Sequence, residues 1–259
     1  MNKLLLFDLD GTLLRTDKSI SKRTIDALVS CRQLGFIIGI STSRSEQNCI
    51  SLLKELNPDV LITSGGALVK KNNEYLYKAV FSEERTNSII DEARQVCGLE
   101  CEITVDTIET HYWNYKINPK EIDKNWEGSV WTDYYDFSEA ALKICVEIFD
   151  DKNAAILKER LSDCDCIRFS DGYWYKFTRK GVTKENSIML VCESYGISLD
   201  DVIAFGDDFA DIEMLKIVGT GVAMGNAIPE VKAIADVVTM SNDDDGIAKY
   251  LENMINEIS

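Results

Sequence analysis

Uniformly apolar runs and stretches of helical spacing take turns along the first third of the chain. Lys3–Phe7 (KLLLF) is apolar without alternation and predicts a strand buried on both faces. Ile20–Leu34 carries Ile25, Leu28, Val29 and Leu34 at helical spacing, with Ser19 or Ser21 as its cap and Gly35 as its stop. Phe36–Ile40 predicts a second strand, Ser45–Leu56 a second helix broken by Asn57-Pro58, and Val60–Thr63 a third strand. This βαβαβ rhythm predicts a parallel sheet with helical crossovers.

From about residue 82 to 178 the pattern changes. Aromatic residues concentrate there, among them Trp113, Trp126, Trp131 and Trp174. Short strands are expected at Cys101–Val105, His111–Tyr115, Cys166–Phe169 and Tyr173–Phe177, with helices at Glu83–Val96 and roughly Ser138–Phe149. The earlier rhythm then resumes: helix Lys184–Tyr195, strand Asp201–Phe205, helix Asp211–Ile217, strand Gly221–Ala223. The expected fold class is α/β: a Rossmann-like core from residues 1–81 and 179–259, interrupted by an α+β module at 82–178.

Composition narrows the partners. The 259 residues are 45% hydrophobic and 28% charged, as in an ordinary globular protein, with a net charge of −16. No Lys/Arg cluster interrupts that negative balance, so a nucleic-acid partner is not expected, while a small phosphorylated ligand held by one local cation is. The eight cysteines are scattered, and the only close pair, Cys164-Asp165-Cys166, stands in a chain with a single histidine. Idle thiols in a reducing cytoplasm are therefore expected rather than a zinc site. The first apolar run is too short for a signal peptide and no stretch has membrane-spanning length, so no membrane partner is expected.

The chemistry sits where the strands end. In "FDLDGTLL" the first strand runs directly into Asp8 and Asp10, an arrangement that is costly unless a cation or a proton lies between the two. The second strand ends in Ser41-Thr42-Ser43-Arg44 and the later one in Gly206-Asp207-Asp208-Phe209-Ala210-Asp211, while Lys184 opens the helix between. Open α/β sheets bind ligands beyond the carboxyl ends of their strands. Paired carboxylates there suit a hard ion such as Mg²⁺; a hydroxyl, a lysine and backbone donors suit phosphoryl oxygens. Each cluster alone reads as a common turn. Neither acidic run has EF-hand spacing, no P-loop occurs, and Gly219–Gly225 lacks the dinucleotide-binding spacing. The ordered set of clusters is the signal.

That set resembles the haloacid dehalogenase superfamily of phosphatases, in its Cof-type branch with a large C2-type cap between the second and third motifs. The matching residues are Asp8-Leu9-Asp10-Gly11-Thr12, Thr42, Lys184, Gly206-Asp207 and Asp211, with secondary matches in "DIEML", "GVAMGNA" and "SNDDDGIAKYLE". The resemblance implies an Mg²⁺-dependent phosphatase of small phosphorylated metabolites working through an aspartyl-phosphate. It implies Asp8 as nucleophile and Asp10 as acid and base. It further implies a metal held by Asp8, the Asp10 backbone, Asp207 and Asp211, and phosphate bound by Thr42 and Lys184, with Arg44 and Asn226 as further candidates. A soluble cytoplasmic monomer or weak homo-oligomer is expected. The chain departs from the family pattern at Ser43, at Gly65-Gly66-Ala67 in place of "NGA", at Glu185, and at Ala210 where asparagine is usual. Phosphoryl transfer to a sugar, as in the superfamily's phosphomutases, and a non-catalytic phosphometabolite-binding protein remain as alternatives. His111 reads as a packed or solvent-facing histidine of the module.

Overall fold

A computed structural model describes residues 3–121, 126, 128–170 and 172–258. In chain order its elements begin with β1 (Leu4–Phe7), α1 (Lys22–Gln33), β2 (Ile37–Ser41), β3 (Val60–Thr63), β4 (Leu68–Lys71) and β5 (Glu74–Lys78). Then follow α2 (Glu83–Cys97), β6 (Ile103–Asp106), β7 (His111–Trp113), β8 (Val130–Trp131), β9 (Lys143–Glu147), α3 (Asp151–Arg160), β10 (Cys164–Arg168) and β11 (Trp174–Arg179). The chain closes with α4 (Lys184–Tyr195), β12 (Val202–Gly206), α5 (Ile212–Ile217), β13 (Thr220–Ala223), α6 (Pro229–Ile234), β14 (Val237–Val238) and α7 (Gly246–Ile258).

The first sheet has the order β14-β13-β12-β1-β2-β3-β4-β5. Its strands from β14 to β3 run parallel, and the β4–β5 hairpin adds an antiparallel edge. All four residues of β1 are buried, as an unalternating apolar run at the centre of a doubly covered sheet requires. Register does the positioning: Phe7 lies opposite Phe205 of β12 on one side and Ile40 of β2 on the other. The residues just past all three strands therefore converge on one edge. The cap of α1 is Ser21, whose hydroxyl accepts from the Thr24 N–H.

Two predicted helices take other forms. Residues 47–56 form successive turns, with amides reaching back three residues at Asn48, Cys49, Leu52 and Leu56. The Ser45 hydroxyl accepts from the Asn48 N–H at 3.2 Å, the bond a helix cap makes, yet the turns that follow do not settle into a regular ladder. Cys49, Leu53 and Leu56 are buried nonetheless, so the helical spacing of apolar residues was real and the helix was not. In Ser138–Phe149 the structured part is β9, and the helix, α3, starts only at Asp151 with an Asp150 cap. Ile144 and Val146 point to one face and Lys143 and Cys145 to the other, and β-branched residues favour that pleat.

The second sheet, β10-β11-β9-β6-β7-β8, is antiparallel except at β7–β8. One face is apolar: Ile103, Val105, Ile144, Val146 and Phe177 pack with Ile89, Ile90 and Ala93 of α2 and with Ala154 and Leu157 of α3. The other carries Thr104, Asp106, His111, Lys143, Cys145 and Lys176. Asp106 lies across from His111 on β7 and from Lys143 on β9, so the register itself sets an acid between an imidazole and an ammonium. The fully buried Asp106 bonds His111 Nδ1 at 2.6 Å, Lys143 Nζ at 2.9 Å and the Ser64 hydroxyl at 2.8 Å; Lys143 Nζ also donates to the Ser43 carbonyl at 2.6 Å. Ser43 and Ser64 belong to the first sheet's loops, so this cluster ties the two sheets together.

Burial works against ionisation of Asp106, but the Lys143 and His111 contacts outweigh it and hold the carboxyl below its usual range. A depressed folded value contributes stability that is present above the ordinary carboxylate pKa of about 4 and is lost as pH falls through the folded value. Asp106→Asn is expected to cost about 3–5 kcal/mol at pH 7, because it strands a buried ammonium. Denaturant unfolding from pH 7 to pH 3 should show the gap between wild type and variant narrowing with acid. A gap that does not vary with pH would contradict this.

Candidate active site

Beyond β1 the Asp8 N–H still donates to the Phe205 carbonyl at 3.0 Å, so the side chain of Asp8 is anchored by the last rung of the sheet. The chain then turns through Gly11, whose φ of +76° favours glycine and whose added Cβ would stand 2.2 Å from Asp207 Oδ2. That close approach lets the Thr12 hydroxyl donate to Asp207 Oδ1 at 2.6 Å. At the end of β12, Asp211 Oδ2 accepts the N–H groups of Asp207 and Asp208 at 3.0 and 3.2 Å, fixing the loop. Lys184 is the first residue of α4, whose cap is Thr183. Its buried ammonium donates to Asp8 Oδ1 at 2.6 Å and to Asp211 Oδ1 at 2.7 Å.

Three carboxylates thus share one ammonium. Burial pushes the Asp8 carboxyl well above its usual range; Lys184 opposes this, and Asp211 and Asp207 add to it. Asp207 is pushed up to about 7, by burial first and then by Asp211. Burial opposes the charge on Lys184 too, but Asp211 and Asp8 outweigh it and raise its pKa. The surplus negative charge is what a divalent cation would relieve. Oxygens of Asp8, Asp207 and Asp211 all lie within 4.8 Å of one another, a compact donor set of hard oxygen ligands that fits Mg²⁺.

Asp10 faces away from this group. Arg44 grips it with Nε on Oδ2 at 2.5 Å and Nη2 on Oδ1 at 2.7 Å, and Lys18 Nζ adds a contact to Oδ1 at 2.7 Å. Burial would raise the Asp10 pKa, but these two cations outweigh it and hold the carboxyl at about 2. Arg44, expected at the phosphate, is therefore engaged with Asp10. Thr42 is buried beside Asp8 in the cavity wall; its hydroxyl accepts from the Arg44 N–H at 3.1 Å, leaving its own hydrogen for a ligand oxygen. Asn226, expected at the phosphate, does a different job. Its amide donates to the Gly11 carbonyl at 2.7 Å and accepts from the Asn242 N–H at 3.0 Å, so both ends are used in pinning the Gly11 turn.

A cavity of about 540 Å³ opens over Asp8, Thr42, Lys184 and Asp207. Its far wall belongs to the polar side of the second sheet: Thr104, His111, Lys143 and Cys145, with Tyr115, Trp126 and Trp174 beside them. Tyr112, next to His111 on β7, lies on the opposite, apolar face against Phe137, at 5.0 Å between ring centroids. Sequence reading missed Lys18, Asn48, Ser43 and Lys143, all of which line the cavity, and Asp106 behind them. Lys143 and Asp106 carry no local motif, because only strand register makes them neighbours. Ala210, in the position where the resembling family has asparagine, also lines the cavity.

A family model described as haloacid dehalogenase-like hydrolase matches residues 5–251. The chain is 29% identical over 254 residues to the Bacillus subtilis protein YcsE, a 5-amino-6-(5-phospho-D-ribitylamino)uracil phosphatase, covering 98% of this chain and 96% of that one. It is 28% identical over 274 residues to the B. subtilis stress response protein YhaX, covering 96% and 92%. Among solved structures, the subclass IIB sugar phosphatase BT4131 superposes with a TM-score of 0.84 at 27% identity, covering 97% of this chain and 98% of that one. No described helix is long and apolar enough to cross a membrane.

Proposed function

The chain belongs to the haloacid dehalogenase-like hydrolases, and from that premise we propose that it is an Mg²⁺-dependent cytoplasmic phosphatase that hydrolyses a small phosphorylated metabolite through an aspartyl-phosphate on Asp8. The observation that carries this reading is the convergence of Asp8, Asp207, Asp211 and Lys184 on the floor of one cavity. The Asp8 carboxylate attacks phosphorus; the P–O bond to the alcohol breaks, and the alcohol oxygen takes a proton from Asp10. Water then attacks the acyl phosphate while Asp10 accepts its proton, which frees phosphate and restores Asp8. Asp8, Asp207, Asp211 and the Asp10 backbone would hold Mg²⁺, which when bound would offset the repulsion between carboxylate and phosphoryl oxygens. Lys184 and Thr42 bind those oxygens, the lysine as a point charge.

The grip of Arg44 and Lys18 makes Asp10 an ionised carboxylate, the form needed to activate water. Its acid role requires that grip to loosen, and a dianionic phosphate entering beside Arg44 competes for the same cations. Asp10→Asn is expected to slow both half-reactions by ~10²–10⁴-fold, the usual cost of a lost general acid/base. It should slow an alkyl phosphate more than an ester with an excellent leaving group in the first step; equal losses would contradict the acid role.

The module at 82–178 serves in this reading as a cap that closes over the strand ends and selects the substrate. Sugar phosphates and cofactor-type phosphate esters are the expected classes, in keeping with the YcsE and BT4131 likenesses. Purified protein with Mg²⁺ should release inorganic phosphate steadily from some member of a panel of phosphorylated metabolites. Chelation should stop it and added Mg²⁺ restore it. Release at the original rate in excess chelator would contradict the metal assignment, and stoichiometric binding without turnover would contradict the phosphatase.

A further inference from the structure

Among the polar atoms lining the cavity from the second sheet, Nε2 of His111 has no task in the chemistry above. His111 is buried, its Nδ1 is held by Asp106 at 2.6 Å, and its buried Nε2 has no hydrogen-bond partner among the described residues. A buried ring nitrogen left unbonded is costly, and such an atom in a cavity wall calls for a ligand. The bond between Nδ1 and the carboxylate fixes the ring, and in the tautomer with its hydrogen on Nδ1 the Nε2 atom offers a lone pair. Lys143 and Ser64 also bind Asp106, so the acid that orients the imidazole is itself held from three sides. The neighbours of His111 in the wall are aromatic. Trp126 stands edge-on to the imidazole at 4.8 Å, and Tyr115 touches both Trp126 at 5.4 Å and Trp174 at 5.1 Å.

We propose that His111 is a specificity-determining residue: its Nε2 accepts a hydrogen bond from an N–H or O–H of a planar heterocycle on the leaving group, which lies against Tyr115 and Trp174. Asp106 is its positioning residue. This rests on the phosphatase reading for the other end of the substrate, where the phosphoryl group meets Asp8. A cavity of about 540 Å³ has room for a phosphorylated heterocycle, being within the usual span for small-molecule sites. A ring face against aromatic side chains supplies affinity, and the buried His111 acceptor beside them supplies orientation.

The test uses flavin mononucleotide, pyridoxal 5′-phosphate and uridine 5′-monophosphate as ring-bearing esters and acetyl phosphate, an acyl phosphate, as a ringless substrate, with Mg²⁺. His111→Phe keeps an aromatic ring against Trp126 and removes both nitrogens. It is expected to lower the ratio of kcat/KM for the best ring ester to that for acetyl phosphate by about 10–100-fold, the effect of deleting one buried hydrogen-bond partner. His111→Gln, which keeps an acceptor, should recover part of that ratio. Asp106→Asn should act on KM for the ring ester more than on its kcat, whereas a merely structural lesion lowers turnover of all esters alike. An unchanged ratio in His111→Phe overturns the proposal.

A second measurement needs no turnover and no variant at risk of misfolding. Riboflavin, pyridoxal and uridine are titrated into wild type, following the fluorescence of the cavity tryptophans, alongside analogues methylated on the ring N–H or O–H donors. At least one parent should bind about tenfold more tightly than its methylated analogue; equal binding throughout overturns the proposal. Failure of wild type to release phosphate from any of these esters or from acetyl phosphate contradicts the phosphatase reading instead, and the titration still decides on His111.

Discussion

Asp8→Asn is expected to abolish phosphate release from every ester by at least about 10⁴-fold, the scale on which removing a covalent nucleophile acts. The fold should survive. Asn and Asp have the same shape, the Asp8 N–H keeps its bond to Phe205, and the variant relieves one of three carboxylates crowded around Lys184. Because burial and the neighbouring acids push the Asp8 pKa upward, losing that charge should leave thermal stability unchanged or slightly raised. Circular dichroism and a melting curve separate this outcome from unfolding. Residual turnover well above contaminant level, in a correctly folded variant, would sink the covalent mechanism.

Lys184→Met carries the second large effect, and it falls on stability as well as rate. The ammonium is the counter-charge of two buried carboxylates, at 2.6 and 2.7 Å. Removing one partner of a buried ion pair typically costs about 3–5 kcal/mol, since the stranded charges stay buried. That is a large share of the ~5–15 kcal/mol by which native proteins are stable. The pair Asp8→Asn with Lys184→Met should therefore be markedly non-additive, the double variant losing less than Lys184→Met alone by more than the small effect of Asp8→Asn. Urea unfolding of the four proteins measures this. A Lys184→Met loss below about 1 kcal/mol, or strict additivity, would show that the ammonium is not the hub of the group.

The strand ends were legible because each is punctuated: an unbroken apolar run stops, and acidic or hydroxyl residues follow at once, as at Phe7-Asp8 and Gly206-Asp207. Buried parallel strands leave that signature whatever their partners. The two predicted helices that took other forms had apolar residues at helical spacing, but residues 47–56 form successive turns before Asn57-Pro58, and in β9 a two-residue alternation is hidden among apolar flanks. The β4–β5 hairpin went unread because Leu68–Lys71 follows β3 so closely.

Within the site, sequence reading identified the residues near Asp8 but not how they are used. Asp10 and Arg44 are 34 positions apart, and nothing local announces that one holds the other. Asn226 is a phosphate candidate through its place in "GVAMGNA", yet its amide is spent on Gly11 and Asn242. The polar wall was less legible still. Asp106, His111 and Lys143 become a unit only through the register of β6, β7 and β9, and the face on which Tyr112 and His111 fall depends on a one-residue alternation.

The central claim is that a phosphoryl group passes through the side chain of Asp8. It is tested most directly by trapping: wild type and Asp10→Asn are quenched with acid during turnover of the best substrate, reduced with borohydride, and digested for mass spectrometry of the N-terminal peptide. An aspartyl-phosphate is reduced to homoserine, so the account predicts homoserine at position 8 in substrate-treated protein and aspartate there in the untreated control. Unmodified Asp8 in both proteins, alongside steady phosphate release, would contradict it.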